Sequence, residues 1–350
     1  MDKKLTEIKE KIFAEQRLNV EDALLLYQSD DLLSIAELAY LVKQKHHSNK
    51  IYYIINQHID YSNICLLRCP LCAFSRSAED ADAFFLTPDD LLTKIDKNVN
   101  ELHIVGGINK NANLNYFVST FKKIKTAFPH ISIKALTPVE IDFLANEEKL
   151  DVKQVLTLLK ESGLNTMPGG GAEIFSPRVR NIICPNKISG TRWLEIMEEA
   201  HSLGIPTNAT MLCGHGETLE ERVQHLNHLR ILQDTTHGFL AFVPLAFHPR
   251  HTKLNYFKDT TGYDDLKTIA ISRLFLDNFP HIKAYWIMLS PKLAQISFFF
   301  GADDIDGTIK EELIFHAAGS TTIPFLTESQ IVTLIKEANQ LPVRRDSFYQ

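Results

Sequence analysis

The sequence predicts an α/β protein built as a (β/α) TIM-type barrel, full or partial, with a helical extension at the N-terminus. Short strand-like apolar runs alternate with amphipathic helical runs from residue 51 onward. Alternation of this length is typical of parallel strands joined by crossover helices. Glycine-rich and histidine-containing motifs follow several of the strands, and in such barrels the chemistry lies at the C-terminal ends of the strands.

The first 50 residues are predicted to form the helical extension. Leu5, Ile8 and Ile12 repeat at helical spacing and share one face of the opening run. This run is too charged to be a secretory signal, and the apolar spacing changes after residue 50. Helical spacing is found in three segments, Met1–Lys11, Glu21–Tyr27 and Leu32–Leu41.

Residues 51–320 are predicted to form the barrel, and residues 321–350 a C-terminal helical segment that packs on it. The predicted strands are Tyr52–Ile59, Glu101–Val105, Ile131–Leu136, Leu164–Pro168, Thr207–Leu212, Phe239–Pro244 and Ala284–Leu289. The predicted helices between them are Asp89–Asn98, Leu114–Phe128, Val152–Ser162, Arg192–Leu203 and Leu219–Gln233.

Composition indicates a large, soluble, cytoplasmic protein, and a small-molecule substrate is favoured over a nucleic-acid partner. Of the 350 residues, 45% are hydrophobic and 23% are charged, which suits a large soluble core. The net charge of -6 and the lack of a long basic run argue against a nucleic-acid partner. The most apolar runs, such as Ile296–Phe300, are too short to cross a membrane. Five cysteines are too few for a disulfide scaffold, so we expect a reducing compartment.

Three cysteines, Cys65, Cys69 and Cys72, lie in the short run Asn63–Phe74 without a fourth cysteine nearby. Structural zinc sites and cuboidal iron–sulfur clusters usually take four protein ligands. Three thiolates therefore leave one coordination position open for a group that reacts. The alternatives are three thiols that cluster by chance, or a zinc site completed by His58 or by a distant residue.

Glycine motifs follow two of the predicted strands. Gly106 and Gly107 come after the strand that ends at Val105, and three glycines followed by Glu173 come after the strand near Leu164. Bare backbone lets a ligand approach its polar groups, although a glycine pair or a flexible loop also serves simply to turn the chain. The second motif comprises Gly169, Gly170 and Gly171.

Two histidines follow later strands, and we predict that they are catalytic. His215 lies between two glycines, and His248 holds the equivalent position after the next strand. Histidine titrates near neutral pH and suits proton transfer, but a lone histidine is as often structural. Cys184 and Cys213 are interpreted as small apolar packing residues, with Cys213 near the predicted mouth of the barrel.

The spacing Cys-x-x-x-Cys-x-x-Cys resembles the cluster motif of the radical S-adenosylmethionine (SAM) enzymes. Longer motifs resemble one family among them, the aminofutalosine synthases, whose relatives include the cyclic dehypoxanthinyl futalosine synthases and the deazaflavin-cofactor synthases. These motifs are His58–Cys65, His103–Gly107, Ala135–Ile141, Pro168–Arg180, Ala209–His215, Pro244–Pro249, Phe300–Thr308 and His316–Gly319.

The resemblance implies a [4Fe-4S] cluster on the three cysteines and SAM as a co-substrate bound to the open iron. It implies that the 5'-deoxyadenosyl radical adds to 3-[(1-carboxyvinyl)oxy]benzoate, the enolpyruvyl ether of 3-hydroxybenzoate. Rearrangement and decarboxylation then give 6-amino-6-deoxyfutalosine for menaquinone biosynthesis. A low-potential electron donor such as flavodoxin or ferredoxin is the implied partner.

The resemblance also implies roles for individual side chains near the cofactor. The Gly106–Gly107 pair matches the motif that binds the methionyl amino group, and Arg192 matches an arginine that meets the SAM carboxylate. Phe74 is expected to shield the cluster and pack near adenine. Glu173 is expected to accept hydrogen bonds from a ribose or an ammonium group, and Glu140 to contact the sugar or to brace its loop.

The implied substrate carries two carboxylates, which planar arginine side chains bind well. We predict that Arg178 and the three-glycine motif bind it, and that Arg180 forms a surface ion pair. Two departures from the family pattern bear on this prediction: Pro70–Leu71 before the last cysteine, and Ile108–Asn113 after the first glycine motif. The alternatives are a hydrogen-abstracting relative such as the cyclic futalosine synthase, and a non-catalytic metal-binding scaffold.

Overall fold

The computed structural model describes residues 3–350, so the first two residues of the predicted helix Met1–Lys11 lie outside the described part. The N-terminal extension is helical, with α1 at Lys3–Phe13, α2 at Val20–Gln28 and α3 at Leu32–His47. Asn19 and Asp31 cap α2 and α3 because their side chains accept hydrogen bonds from backbone N–H groups of the first helical turn.

The rest of the chain alternates strands with helices. The strands are β1 Lys50–Ile54, β2 Asn56–Asp60, β3 Glu101–Val105, β4 Ser132–Ala135, β5 Leu164–Thr166, β6 Thr207–Cys213, β7 Phe239–Ala246, β8 His281–Ile282, β9 Asp304–Gly307 and β10 Leu341–Arg344. The helices are α4 Pro88–Thr93, α5 Leu114–Ala127, α6 Pro138–Glu148, α7 Val152–Glu161, α8 Pro177–Ile183, α9 Gly190–Ser202, α10 Leu219–Thr236, α11 Gly262–Phe275, α12 Trp286–Leu289, α13 Pro291–Ser297, α14 Ile314–Ala318 and α15 Glu328–Glu337.

The strands form a closed ring in which every pairing is parallel. The order β2-β3-β4-β5 is joined to β6-β7-β8 by a bridge between Met167 and Thr207. A bridge between Lys283 and Asp304 joins β8 to β9, and β9 pairs with β1. Since β1 and β2 form one interrupted strand, the ring closes on itself. The predicted TIM-type barrel is therefore confirmed, in its full form.

Two predicted strands differ from the structure. Tyr52–Ile59 is split at Ile55, whose carbonyl accepts a hydrogen bond from Asn100 outside the strand ladder. Ala284–Leu289 is not a strand: its last four residues form the helical turn α12, and β8 precedes it. This prediction was wrong because a short buried apolar run has no periodicity that separates a strand from a helical turn.

The C-terminal segment contains a helix and also a strand. Helix α15 is followed by β10, which pairs in parallel with β1 through Lys50 and Leu341. β10 therefore extends the sheet on the side of β1 that faces away from β9. The segment predicted to be helical thus contains a strand as well as a helix. Within residues 3–350, no helix is long and apolar enough to span a membrane.

Candidate active site

A cavity of about 280 Å³ opens at the C-terminal ends of the barrel strands. Its wall combines the cysteine loop, the ends of β3, β5, β6 and β7, the turn after β8, and the segment from residue 306 to residue 318. The lining includes Cys65, Cys69, Cys72, Phe74, Gly106, Gly107, Glu140, Gly169, Gly170, Gly171, Glu173 and His248, all of which were predicted as site residues.

The three thiols of the cysteine loop are free and face this cavity. Cys72 N–H donates to the Cys69 carbonyl at 3.0 Å, which folds the loop into a tight turn. Burial raises the pKa of the Cys69 thiol to about 12. Three thiolates around one cavity could hold an iron–sulfur cluster that keeps one corner open to a ligand.

Gly107 allows the end of β3 to pack against the cysteine loop. A β-carbon at Gly107 would collide with the carbonyl oxygen of Ile64 and lie 2.9 Å from Cβ of Cys65. Backbone hydrogen bonds hold the two segments together, since Gly107 N–H donates to the Ser62 carbonyl at 2.7 Å. The glycine therefore positions a cysteine in addition to exposing bare backbone.

Glu140 lies behind the first glycine motif, at the start of α6. Tyr61 Oη donates to Glu140 Oε1 at 2.9 Å, and Thr137 N–H donates to Glu140 Oε2 at 2.6 Å. The Gly106 backbone also hydrogen-bonds this carboxylate. Burial raises the pKa of Glu140 to about 7, even though these donors oppose the shift. The geometry suits a group that braces the glycine loop at the cavity wall.

Lys187 was not found from the sequence, yet it lines the cavity between Glu173 and the cysteine loop. Its ammonium group forms an ion pair with Glu173. Burial opposes the charge, but Glu173 and then the Cys69 thiol hold the pKa of Lys187 above its ordinary value. A cation beside thiolates favours their charged, ligating form. No motif marks Lys187, because its place beside the cysteine loop appears only in the folded chain.

The three-glycine motif packs against the neighbouring strand β6. Thr210 Oγ1 donates to the Gly169 carbonyl at 2.6 Å, and a β-carbon at Gly169 would lie 2.8 Å from the Asn208 carbonyl oxygen. Gly171 has φ +81°, a conformation that residues with a side chain rarely adopt. The motif therefore brings bare backbone to the cavity at a point where side chains do not fit.

Three polar side chains form the floor of the cavity at one level of the barrel. His58, His103 and Lys134 are register partners on β2, β3 and β4. His103 Nδ1 lies 3.2 Å from His58 Nε2, and Lys134 Nζ donates to Glu101 Oε1 at 2.7 Å. Burial lowers the pKa of both histidines, so both imidazoles are neutral. The sequence alone does not show that these three residues lie at one level, because that follows from the register of β2, β3 and β4.

Two predicted arginines do not line the cavity. The side chain of Arg178 is 54% exposed and forms an ion pair with Glu221 at 2.6 Å. Arg192 is 41% exposed and pairs with Asp142 at 2.8 Å. Both guanidinium groups are held on the outer surface by acidic partners, so their predicted contacts with substrate and cofactor have no support from the geometry.

Two further predictions differ in placement. His215 is buried, with Nδ1 3.0 Å from Glu217 Oε2, and its ring packs beside Phe247 outside the cavity lining. The Glu217 carboxylate accepts hydrogen bonds from the backbone N–H groups of Gly214 and His215. These bonds fix the turn that carries the histidine. Arg180 is not a surface residue: it is buried and donates to backbone carbonyls, including those of Ala172 and Ile174.

The family models match nearly all of the barrel and the C-terminal segment after it. Residues 59–229 match the model of the Radical SAM superfamily, and residues 236–350 match the model of the CofH/MqnC C-terminal region. The chain belongs to the radical SAM superfamily. The superfamily that the cysteine spacing predicted is therefore confirmed. Membership implies that the protein uses SAM and an iron–sulfur cluster.

The curated relatives of this radical SAM enzyme carry several names. It is 43% identical to the aminodeoxyfutalosine synthase of Thermus thermophilus, over 100% of this chain and 96% of the relative. It is 37% identical to the 5-amino-6-(D-ribitylamino)uracil--L-tyrosine 4-hydroxyphenyl transferase of Methanothermobacter thermautotrophicus, over 91% and 90%. It is 34% identical to the cyclic dehypoxanthine futalosine synthase of Halalkalibacterium halodurans, over 96% and 91%.

Solved structures agree on the fold. The methylornithine synthase PylB superposes with a TM-score of 0.76 at 17% identity, over 96% of this chain and 97% of that one. HydG, a maturase of the [FeFe]-hydrogenase, gives 0.75 at 18% identity, over 98% of this chain and 76% of that one. At these identities the likeness shows the radical SAM barrel and nothing finer.

Proposed function

We propose that the chain is an aminodeoxyfutalosine synthase. It would use SAM to add a 5'-deoxyadenosyl group to 3-[(1-carboxyvinyl)oxy]benzoate, with methionine leaving. After rearrangement and loss of one carboxyl group by decarboxylation, it would release 6-amino-6-deoxyfutalosine for menaquinone biosynthesis. The full-length identity of 43% to an enzyme of that name favours this activity over those of the other relatives. The observation that carries the proposal is the single cavity in which three free thiols face a wall of aromatic and hydrogen-bonding side chains.

The cofactor end of the cavity would be formed by the cysteine loop. Cys65, Cys69 and Cys72 would hold a [4Fe-4S] cluster and leave one iron open to SAM. When bound, the cluster supplies the electron that cleaves the sulfonium of SAM, and flavodoxin or ferredoxin would supply that electron to it. Phe74, 7% exposed at this end, would exclude water from the reacting atoms.

Backbone and carboxylate groups would orient SAM. The bare backbone at Gly106 and Gly107, braced by Glu140, would receive the methionyl amino group. Glu173, fixed by its ion pair with Lys187, would accept a hydrogen bond from the cofactor.

The other end of the cavity would hold the aromatic substrate. Phe247 and Phe315 supply apolar faces, and the bare backbone from Gly169 to Gly171 lets the substrate lie close to the wall. Burial lowers the pKa of His248, so its imidazole is neutral and able to accept a proton during the rearrangement. We leave Arg178, Arg192 and His215 out of the site.

The test is the identity of the nucleoside product. The anaerobically reconstituted enzyme is incubated with dithionite, SAM and 3-[(1-carboxyvinyl)oxy]benzoate, and the products are identified by mass. We expect 6-amino-6-deoxyfutalosine. If 5'-deoxyadenosine alone accumulates, addition to this substrate is excluded and a hydrogen-abstracting activity, such as that of the cyclic dehypoxanthine futalosine synthase, takes its place.

A second candidate is the transferase activity of the 37% identical relative, whose name gives L-tyrosine and 5-amino-6-(D-ribitylamino)uracil as substrates. A cavity with an aromatic wall would also accept a phenol ring. Parallel incubations with these two compounds separate the candidates, because a transferase would couple them while the proposed synthase would leave both unchanged. Iron and sulfide analysis of the same samples tests the remaining alternative, a metal-binding scaffold without catalysis.

A further inference from the structure

Three side chains that line the cavity carry buried polar atoms without a hydrogen-bond partner: Ser75 Oγ, His248 Nε2 and Tyr285 Oη. An unpaired buried donor or acceptor destabilises a folded protein, so such atoms on cavity-lining side chains are available to pair with a bound ligand or water. Ser75 follows the cysteine loop and belongs to the cofactor end. The other two follow the ends of β7 and β8, on the substrate side.

Tyr285 and His248 are joined through one helical turn. Tyr285 is the N-cap residue of α12, and its carbonyl accepts a hydrogen bond from Met288 N–H at 3.1 Å. His248 lies against the backbone of this turn at Met288, and its Nε2 atom has no hydrogen-bond partner. Two unpaired polar atoms, His248 Nε2 and Tyr285 Oη, therefore belong to side chains of the same part of the cavity wall.

Cations that line the cavity are already paired. Lys134 lies 2.7 Å from Glu101, and Lys187 forms its ion pair with Glu173. Among the residues that the structure describes, no arginine lines the cavity. A carboxylate that enters the substrate end must therefore be met by neutral donors, and the hydroxyl of Tyr285 is a donor without a partner.

Two of the acidic groups near Tyr285 do not repel such a carboxylate. Burial raises the pKa of Asp60 well above its ordinary value, which favours the neutral form of this carboxyl group. Asp306 lies 3.7 Å from the ammonium group of Lys283, whose charge compensates it. Neither acid therefore adds an uncompensated negative charge beside the hydroxyl.

The third acid, Glu312, is compensated by a histidine of α14. His316 Nδ1 lies 3.0 Å from Glu312 Oε2, and this hydrogen bond raises the pKa of His316 to about 9. The imidazole is therefore protonated at neutral pH and balances the carboxylate. With each neighbouring acid compensated, the surroundings of Tyr285 accept an anion.

Two other rings pack beside the ring of Tyr285. The ring centroid of Phe315 lies 5.5 Å from that of Tyr285, and His58 stacks at 6.5 Å with an angle of 21° between the rings. Flat apolar groups next to an unpaired donor fit an aryl group that carries an oxygen acceptor.

We propose that Tyr285 binds the substrate, donating its hydroxyl hydrogen bond to a carboxylate of an aromatic carboxylic acid held against Phe315. The identity of the full substrate rests on the proposed function. The chemical class of the ligand, an aromatic carboxylic acid, does not. Tyr285 thereby sets specificity for the anionic substrate, and the cofactor end of the cavity is independent of it.

The test compares Tyr285→Phe with Tyr27→Phe in the reconstituted holoenzyme. Both variants lose one buried tyrosine hydroxyl, but Tyr27 lies outside the cavity lining. We expect Tyr285→Phe to raise KM for 3-[(1-carboxyvinyl)oxy]benzoate about tenfold, the factor typical of one hydrogen bond to a charged group. We expect an unchanged dissociation constant for SAM, and unchanged values of both constants in Tyr27→Phe.

A binding experiment separates this inference from the proposed function. The affinities of 3-hydroxybenzoate and of its neutral amide are measured for the wild type and for Tyr285→Phe. We expect the variant to lose affinity for the carboxylate about tenfold and for the amide by only about two- to threefold, because a hydrogen bond to a neutral acceptor contributes less than one to a charged acceptor. This result supports the inference even if the wild type forms no 6-amino-6-deoxyfutalosine. Equal affinities in wild type and variant, or a parallel loss of SAM binding, would overturn it.

Discussion

Gly107 lies so close to Cys65 that a β-carbon on the glycine would be 2.9 Å from Cβ of the cysteine. The same atom would collide with the carbonyl oxygen of Ile64. The end of β3 thus fixes the position of the loop that carries all three thiols. The Gly106–Gly107 motif, which we expect to bind SAM through its backbone, therefore also fixes the position of Cys65, the first predicted cluster ligand.

Gly107→Ala is expected to displace the cysteine loop and to reduce cluster assembly several-fold while the barrel stays folded. The contact is with backbone, which cannot move aside as a flexible side chain would. Iron and sulfide are counted after anaerobic reconstitution, and far-UV circular dichroism checks the fold. Gly262→Ala is the matched control, because its β-carbon would meet Leu293 at an ordinary 3.4 Å. Equal iron content in the two variants would contradict the packing argument.

Cys69→Ala is expected to abolish cluster assembly and all cleavage of SAM, because two thiolates cannot replace three at a cluster with an open corner. Cys184→Ala is the control: this thiol is also buried but does not line the cavity. Iron content and the yield of 5'-deoxyadenosyl products are measured for both. Turnover by Cys69→Ala at the wild-type rate would refute the assignment of the cluster ligands.

Lys187→Met is expected to destabilise the fold by about 3 kcal/mol, because it leaves the buried Glu173 carboxylate without its counter-ion. The free energy of unfolding is measured by urea titration of the cluster-free protein. In the double variant Glu173→Gln/Lys187→Met no charge is left unpaired, so we expect much of the lost stability to return. A double variant no more stable than Lys187→Met would show that the ion pair is not the cause.

The pair of His316 and Glu312 is expected to make stability depend on pH. Hydrogen bonding to Glu312 raises the pKa of His316 from 6.5 to about 9 in the folded chain. The contribution is fully present below about pH 6.5, and it is lost as the pH rises through about 9. Melting temperatures between pH 6 and pH 10 should fall less steeply in His316→Gln than in the wild type. If the melting temperatures of His316→Gln and the wild type fall in parallel with pH, this pair is not the origin of the pH dependence.

The same pair bears on substrate binding. Above about pH 9, Glu312 loses its cationic partner near the hydroxyl of Tyr285, so KM for the anionic substrate is expected to rise. The His130→Gln variant, altered at an exposed histidine that contacts the Lys97 carbonyl, should keep the wild-type profile. A KM that is flat to pH 10 in the wild type would contradict the compensation of Glu312 by His316.

Motifs local in sequence were predicted well. Cys65 to Cys72 and Gly106–Gly107 were located at the cavity because strand-end motifs of a parallel barrel meet at one face. The ion pairs that hold Arg178 and Arg192 on the surface were not predicted. Their acidic partners stand on other elements, so only the folded chain shows that these guanidinium groups are already occupied.

The substrate end could be predicted least. Tyr285 lies in a run that was assigned to a strand, and the helical turn α12 that begins after it leaves no periodic trace in so short a buried segment. His103 and Lys134 look like isolated polar residues within apolar strands. They become a layer only through the register of β3 and β4.

The most direct test of the three-thiolate site is the electron paramagnetic resonance spectrum of the reconstituted, dithionite-reduced wild type, recorded with and without SAM. We expect the signal of a reduced [4Fe-4S] cluster whose g values change when SAM is added, because the open iron gains a ligand. A cluster signal that SAM leaves unchanged, or a protein that binds zinc in place of iron, would contradict the central claim.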